Sequence, residues 1–235
     1  MTILKAAPNS IGQYPIGDPV RVAVAGLPEP VNLIGRFGQL TKLDADRQSA
    51  DLGEAVKGHD HIWTYMAYGP FADNAALSNW IRERAELPDP YSFAVLDHTS
   101  HALGIAALMA IRPSMGVIEV GNILLGPALQ RTPLATEIQY LLARYVFETL
   151  GYRRYEWKCD ALNAASRRAA LRLGFTFEGV FRQHMIVKGR NRDTAWFAML
   201  DSEWPQRKLA LERWLAPDNF DDRGQQRARL ESFAR

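Results

Sequence analysis

The sequence predicts a mixed α/β (α+β) fold built on one central sheet. Between residues 91 and 126 three β-compatible runs, YSFAVLD, HALGIAALMAIRP and GVIEVGNILLG, follow one another with Asp, Ser, Gly and Pro between them, as in an antiparallel meander. The next segment, PLATEIQYLLARYVFETLG, has Ile138, Leu141, Leu142, Tyr145 and Val146 at helical spacing and ends on Gly151. Beyond it the order becomes strand (RRYEWKC), Ala-rich helix (NAASRRAALRLG) and a β-hairpin from Thr176 to Leu200 around the turn KGRN.

The remaining elements fill in around these. Residues 1–30 are dense in Pro and Gly, which interrupt ladders and helices, and read as an extended arm. VNLIGRFGQLTKL, residues 31–43, alternates loosely and reads as a first strand, after which Asp44 offers an N-cap for a helix through Val56. The turn-rich stretch HDHIWTYMAYGPF precedes a helix opened by Asp73 and running through Ala85, with Ala76, Leu77, Trp80 and Ile81 on one apolar face. Near the C-terminus, WPQRKLALERWLAPDNF contains an amphipathic helix with Leu209, Leu211, Trp214 and Leu215 partly aligned. It packs on the domain or on a partner subunit, the latter giving a homodimer, rather than on a membrane. The expected organisation is an arm over 1–30, one domain over 31–204 and a helical extension over 205–235.

Composition narrows the function. The 28 Lys and Arg nearly balance 26 Asp and Glu, so no global basic field draws the chain to nucleic acid or to an anionic membrane. With Cys159 the only cysteine, an intrachain disulfide and a thiolate metal cluster are excluded. His59 and His61 lack further ligands nearby and read as capping or packing residues. The first residues lack the pattern of a signal peptide and no apolar run reaches the length of a membrane span, so the expectation is a soluble, cytoplasmic protein.

Two helix starts carry the chemistry. In LQRTPLATE, Thr132 is a good N-cap and Pro133 suits the first helical position, so the amides of Leu134, Ala135 and Thr136 face outward at the positive end of the helix dipole beside Arg131. That is an anion site, although every helix has such an end. In DALNAASRRAALRLGF, Asn163 stands at the N-cap with Ser166 three residues on, and capping alone would account for both. Both groups lie at the carboxyl ends of neighbouring strands, where α/β sheets commonly bind ligands.

Segment 117–204, with LQRTPLATE, RRYEWKCDALNAASRRAALRLGFTFEGVFR and GRNRDTAWFAMLDSEW, resembles the subgroup of GNAT acetyltransferases that contains the enzymes acetylating ribosomal-protein N-termini. The resemblance implies a mixed central sheet of about seven strands with flanking helices and a V-shaped splay between two parallel strands. It also implies acetyl-coenzyme A (acetyl-CoA) as acyl donor and direct transfer to a primary amine acceptor in a ternary complex. The family loop Gln/Arg-x-x-Gly-x-Gly/Ala, which cradles the coenzyme pyrophosphate, corresponds to Gln130, Pro133 and Ala135. Proline replaces the first glycine and supplies no N–H, so the other amides and Arg131 carry the contact. Asn163 matches the asparagine that binds the pantetheine arm, and Ser166 a serine near the coenzyme sulfur. Ala170 stands where many members have a tyrosine acid, which excludes that residue as proton donor.

Thioester aminolysis needs a neutral amine, donors for the oxyanion and a proton for the thiolate. The resemblance puts a backbone N–H near Leu124 or Leu125 at the acetyl oxygen and Ser166 at the sulfur. Glu119 is a base candidate through water, against the alternative of a solvated or paired carboxylate. Glu178 reads as structural and Cys159 as a small buried hydrophobe. Of Trp63, Tyr65, Tyr68 and Phe71, most read as core and one or two as acceptor-pocket residues. A non-catalytic acetyl-CoA sensor of the same fold, and an RNA binder using RRY and KGRNR, are the competing readings.

Overall fold

A computed structural model describes residues 7–8, 15–20 and 23–233. The arm expected over 1–30 therefore falls partly outside the described residues. Within it, β1 (Ala7–Pro8) pairs antiparallel with β2 (Pro15–Ile16). Farther on the chain is tied to the domain, where Ala25 is buried and the Gly26 N–H donates to Leu150 O at 2.7 Å.

The principal sheet has eight strands in the order β3-β4-β5-β6-β7-β8-β10-β9. They are β3 (Leu33–Ile34), β4 (Gly38–Lys42), β5 (Tyr91–Asp97), β6 (Ala102–Arg112), β7 (Val117–Leu125), β8 (Arg154–Asp160), β9 (Thr176–Val187) and β10 (Arg190–Leu200). Every neighbouring pair is antiparallel except β7 and β8, which run parallel. The count exceeds the seven expected because the run 31–43 is two strands joined by a turn, not one. The cause lies far along the chain: Arg36 N–H and Phe37 N–H donate to the two carboxylate oxygens of Glu137 at 2.6 and 2.8 Å. A Cβ at Gly35 would overlap that carboxyl, so the close approach requires glycine.

Helices α1 (Ala45–Val56) and α2 (Asn74–Glu86) are capped by Asp44 and Asp73, as expected. They cover one sheet face, where Leu52, Val56, Leu77, Trp80 and Ile81 pack on Ala94, Leu96, Ile105 and Leu124. The other face carries α3 (Pro133–Arg144), which continues as a π turn over Tyr145–Thr149, α4 (Ala164–Arg172) and α5 (Trp204–Leu215). There Phe93, Leu108, Ile118, Val120, Tyr155 and Phe197 meet Ile138, Leu142 and Ala170. On α5, Leu211, Trp214 and Leu215 are buried as expected, but Leu209 is exposed and Ala210 takes its place in the buried stripe. Tyr140 O–H donates to Glu212 at 2.8 Å, fixing α5 to α3. The hairpin turns at Lys188 and Gly189, whose positive φ values of 50° and 70° suit a two-residue turn that follows the strand twist.

Candidate active site

The parallel pair β7 and β8 is in register from Val117 opposite Arg154 to Val120 opposite Trp157, and there its pairing stops although both strands continue. The cause is on β7. Its register against β6 slips by one residue between Gly121 and Leu124, and Asn122 has a φ of +48°. Such a bulge bends its strand, which carries β7 away from β8 and opens a V-shaped gap. Register also orients the backbone at the gap. Gly126 N–H donates to Leu103 O, so the amides of Gly126 and Leu124 point toward β6 and that of Leu125 points into the gap. The Leu125 carbonyl points the same way and accepts from the Gln130 side-chain amide at 3.0 Å.

At the end of the gap α3 begins. Thr132 Oγ1 donates to Leu129 O at 2.7 Å and accepts from the Ala135 N–H at 3.2 Å. The Ala135 amide is thus taken by the cap, which corrects the expectation that the amides of Leu134, Ala135 and Thr136 are all free. The Leu134 amide, at the second helical position, has no acceptor within the helix. Arg131 directly precedes the cap in a left-handed conformation, φ +62°, is exposed, and pairs with no carboxylate among the described residues. From α4, Arg172 donates to Thr136 Oγ1 at 3.0 Å. Burial holds the Arg172 pKa below its usual value.

On the same side, Asn163 caps α4 by accepting from the Ser166 N–H at 3.0 Å. The Ser166 hydroxyl accepts a hydrogen bond from Trp157 Nε1 at 3.0 Å. With that lone pair engaged, its own hydrogen remains to be donated, and the Cys159 sulfur is one acceptor within its reach. Cys159, buried on β8, has its pKa raised by burial, with the Ser166 hydroxyl and the charge of Arg192 acting in the opposite direction.

Strand alternation puts Glu119 on the opposite face, because Ile118 and Val120 belong to the core under α3. It stands in register with Glu156, and Lys158 Nζ bridges the two carboxylates at 2.8 and 2.9 Å. Glu156 also binds Arg154 at 2.7 Å and Arg112 at 3.2 Å, and Arg154 reaches Glu178 at 2.5 Å. Burial raises the Glu119 pKa against the opposing charge of Lys158; the Glu156 pKa stays low because its bonds to Arg154 and Lys158 outweigh its burial. Lys158 Nζ lies 3.9 Å from the centre of the Trp196 ring.

Segments distant in sequence close over this face. Lys188 Nζ at the hairpin tip donates to Trp63 O at 2.9 Å, and Tyr65 O–H donates to Leu162 O at 3.2 Å. Trp63 itself is buried against Phe71, Tyr68 and Trp80, whereas Tyr65 is exposed. A hollow of about 730 Å³ lies farther out, against Phe181, Arg182, Gln183, His184, Asn191 and Asp193, and none of the expected coenzyme residues lines it.

The structure thus gathers Leu125, Gln130, Arg131, Thr132, Leu134, Ala135, Thr136, Asn163 and Ser166 around the gap and α3. Leu124 is turned toward β6 and the core, and Glu119 lies on the other face. Lys158, Trp157 and Arg192 were not singled out from the sequence. Charged residues at alternate positions of the otherwise buried strand RRYEWKC were the available signal for Lys158, since an unpaired charge is not buried.

The chain matches the acetyltransferase (GNAT) domain family over residues 40–176, more than half its length. It is 47% identical to a GCN5-related N-acetyltransferase from Brucella melitensis, covering 89% of this chain and 96% of that one with a TM-score of 0.87. A probable GNAT-family acetyltransferase from Chromobacterium violaceum is 41% identical, covering 85% of this chain and 100% of that one, TM-score 0.74. RimL, a ribosomal L7/L12 α-N-protein acetyltransferase in complex with coenzyme A, shares the fold at 17% identity, covering 72% of this chain and 98% of that one, TM-score 0.64. No curated protein sequence matches. No helix among the described residues is long and apolar enough to cross a membrane. The chain belongs to the GNAT acetyltransferase family, enzymes that take their acetyl group from acetyl-CoA.

Proposed function

We propose that the chain transfers the acetyl group of acetyl-CoA directly to a primary amine while both substrates are bound. The observation that carries this reading is the gap between β7 and β8, with the Leu125 N–H directed into it and the Ser166 hydroxyl, which accepts from Trp157 Nε1, on the side of α4. The coenzyme pyrophosphate takes the start of α3, held by the Leu134 amide and Arg131 with Gln130 and Thr132 shaping the loop. Asn163 meets the pantetheine arm. Leu125 N–H stabilises the oxyanion as the amine attacks, and Ser166 gives its hydrogen bond to the departing sulfur.

Glu119 receives the amine proton through water. Its raised pKa makes it a stronger base than an ordinary carboxylate, and Lys158 keeps it ionised. Cys159 stays a neutral thiol because burial raises its pKa, which favours direct attack over an acyl-cysteine. Initial rates, read as free thiol while acetyl-CoA and a panel of primary amines are varied, test this. Intersecting double-reciprocal lines are expected; parallel lines, or acetyl trapped on Cys159, would refute it. Peptide N-termini and small amines belong in the panel, as does a measurement of oligomeric state.

A further inference from the structure

Glu119, Glu156 and Glu178 are matched by Lys158, Arg154 and Arg112, three carboxylates to three cations in one connected network. Arg192 stands outside it. It lies near the start of β10, beyond Thr194, which is opposite Asp160 at the end of β8; this is the same end of the sheet as the gap. Its charge acts on both Glu119 and Cys159, and Thr194, two residues on, pairs with Asp160 at the end of β8, the strand that forms one side of the V.

No carboxylate among the described residues pairs with Arg192. Nearby acids are engaged elsewhere: Asp193 accepts from Gln183 N–H and Asn191, and Asp160 from Leu162 N–H. The Nε of Arg192 is buried without an acceptor, and so is Nε1 of Trp196, four residues along the same strand. Buried donors as a rule have partners. Two unmet donors, one of them on a cation that pairs with no carboxylate among the described residues, specify what a ligand must bring: an anionic acceptor of hydrogen bonds. Arginine suits a carboxylate, whose two oxygens match its fork.

We infer that Arg192 binds a carboxylate of the acceptor, so that the amine acetylated here belongs to a carboxylate-bearing molecule. This rests on the acetyl-transfer reading for the amine, and not for the anion site. The carboxylate comes either from the α-carboxyl of a free amino acid or from an acidic residue following a peptide N-terminus.

Two matched pairs test it: L-alanine against L-alaninamide, and the dipeptide amides Ala-Glu and Ala-Gln. For each, binding to the coenzyme A-saturated protein is measured by calorimetry and transfer from acetyl-CoA by free thiol. The carboxylate member of one pair is expected to be favoured at least tenfold in Kd and in kcat/KM, and the pair that shows the preference identifies the source. Arg192→Gln should abolish the preference with the acetyl-CoA Kd unchanged, and Arg192→Lys should restore part of it. Equal binding of both members in both pairs, a preference that survives Arg192→Gln, or a matching loss of acetyl-CoA affinity would overturn the inference. Carboxylate binding through Arg192 without any transfer would uphold it and count against the transfer reading alone.

Discussion

Replacing Lys158 with Met removes the cation that bridges Glu119 and Glu156. The side chains of the three are only 13%, 9% and 5% exposed, so water replaces little of the lost interaction. Glu156 keeps Arg154 and Arg112, whereas Glu119 loses its partner among the described residues. Breaking a buried pair from one side costs about 3–5 kcal/mol, a large share of the roughly 5–15 kcal/mol that holds a domain folded.

The pH dependence has a definite sign. Glu119 already has a folded pKa above its ordinary 4.5, and without Lys158 that pKa rises further. A raised pKa adds stability that is full below the unfolded value and is lost as pH rises through the folded one. Lys158→Met should therefore be most damaging near neutrality and least near the ordinary carboxylate pKa. Adding Glu119→Gln should recover most of the loss, because an amide carries no charge to bury. Denaturant midpoints at two pH values, for both single variants and the double variant, form the necessary cycle. A loss below about 1 kcal/mol at neutral pH, the size for an exposed pair, would refute the claim that these charges are desolvated; so would the absence of recovery.

Ser166→Ala should bind acetyl-CoA almost normally yet lose turnover, and it should also cost about 1–3 kcal/mol because the Trp157 N–H loses its acceptor; unchanged turnover with chemistry rate-limiting removes Ser166 from the mechanism. Asn163→Ala should cost about 0.5–2 kcal/mol as a lost cap and raise the KM for acetyl-CoA, both measurable on one preparation. Arg131→Ala should weaken coenzyme binding and flatten its salt dependence, leaving the Thr132 cap intact; affinity unchanged at low and high salt would move the pyrophosphate elsewhere.

The elements legible in the sequence were those whose determinants are local. Thr132 followed by Pro133, Asp44, Asp73 and Asn163 each mark a helix start with a side chain acting within a few residues. The division of residues 31–43 into two strands was not legible, because the group that fixes the turn is Glu137, on α3. The pairing of Glu119 was hidden for a related reason. Alternation told which residues share a face of one strand, but only the parallel register of β7 with β8 brings Lys158 to it. Arg192 sat in the basic run KGRNR, where sequence gives no means of separating a solvated charge from one left half-buried without a carboxylate partner among the described residues. Arg154, in RRY, proved to be engaged by Glu156 and Glu178.

The outermost strand, β9, bears on how the protein behaves at high concentration. It leaves Phe177, Val180, Phe181, Met185 and Ile186 exposed beside an unpaired edge, a combination that invites chains to stack into fibrils. Its pairing with β10 is interrupted twice, between Arg192 and Thr194 and between Trp196 and Phe197, and Gln183 turns its N–H back onto Asp193. An incoming strand meets a bent, broken template in place of a straight row of donors. The irregularities that flank Arg192 and Trp196 thereby also guard the apolar rim of the sheet against self-association.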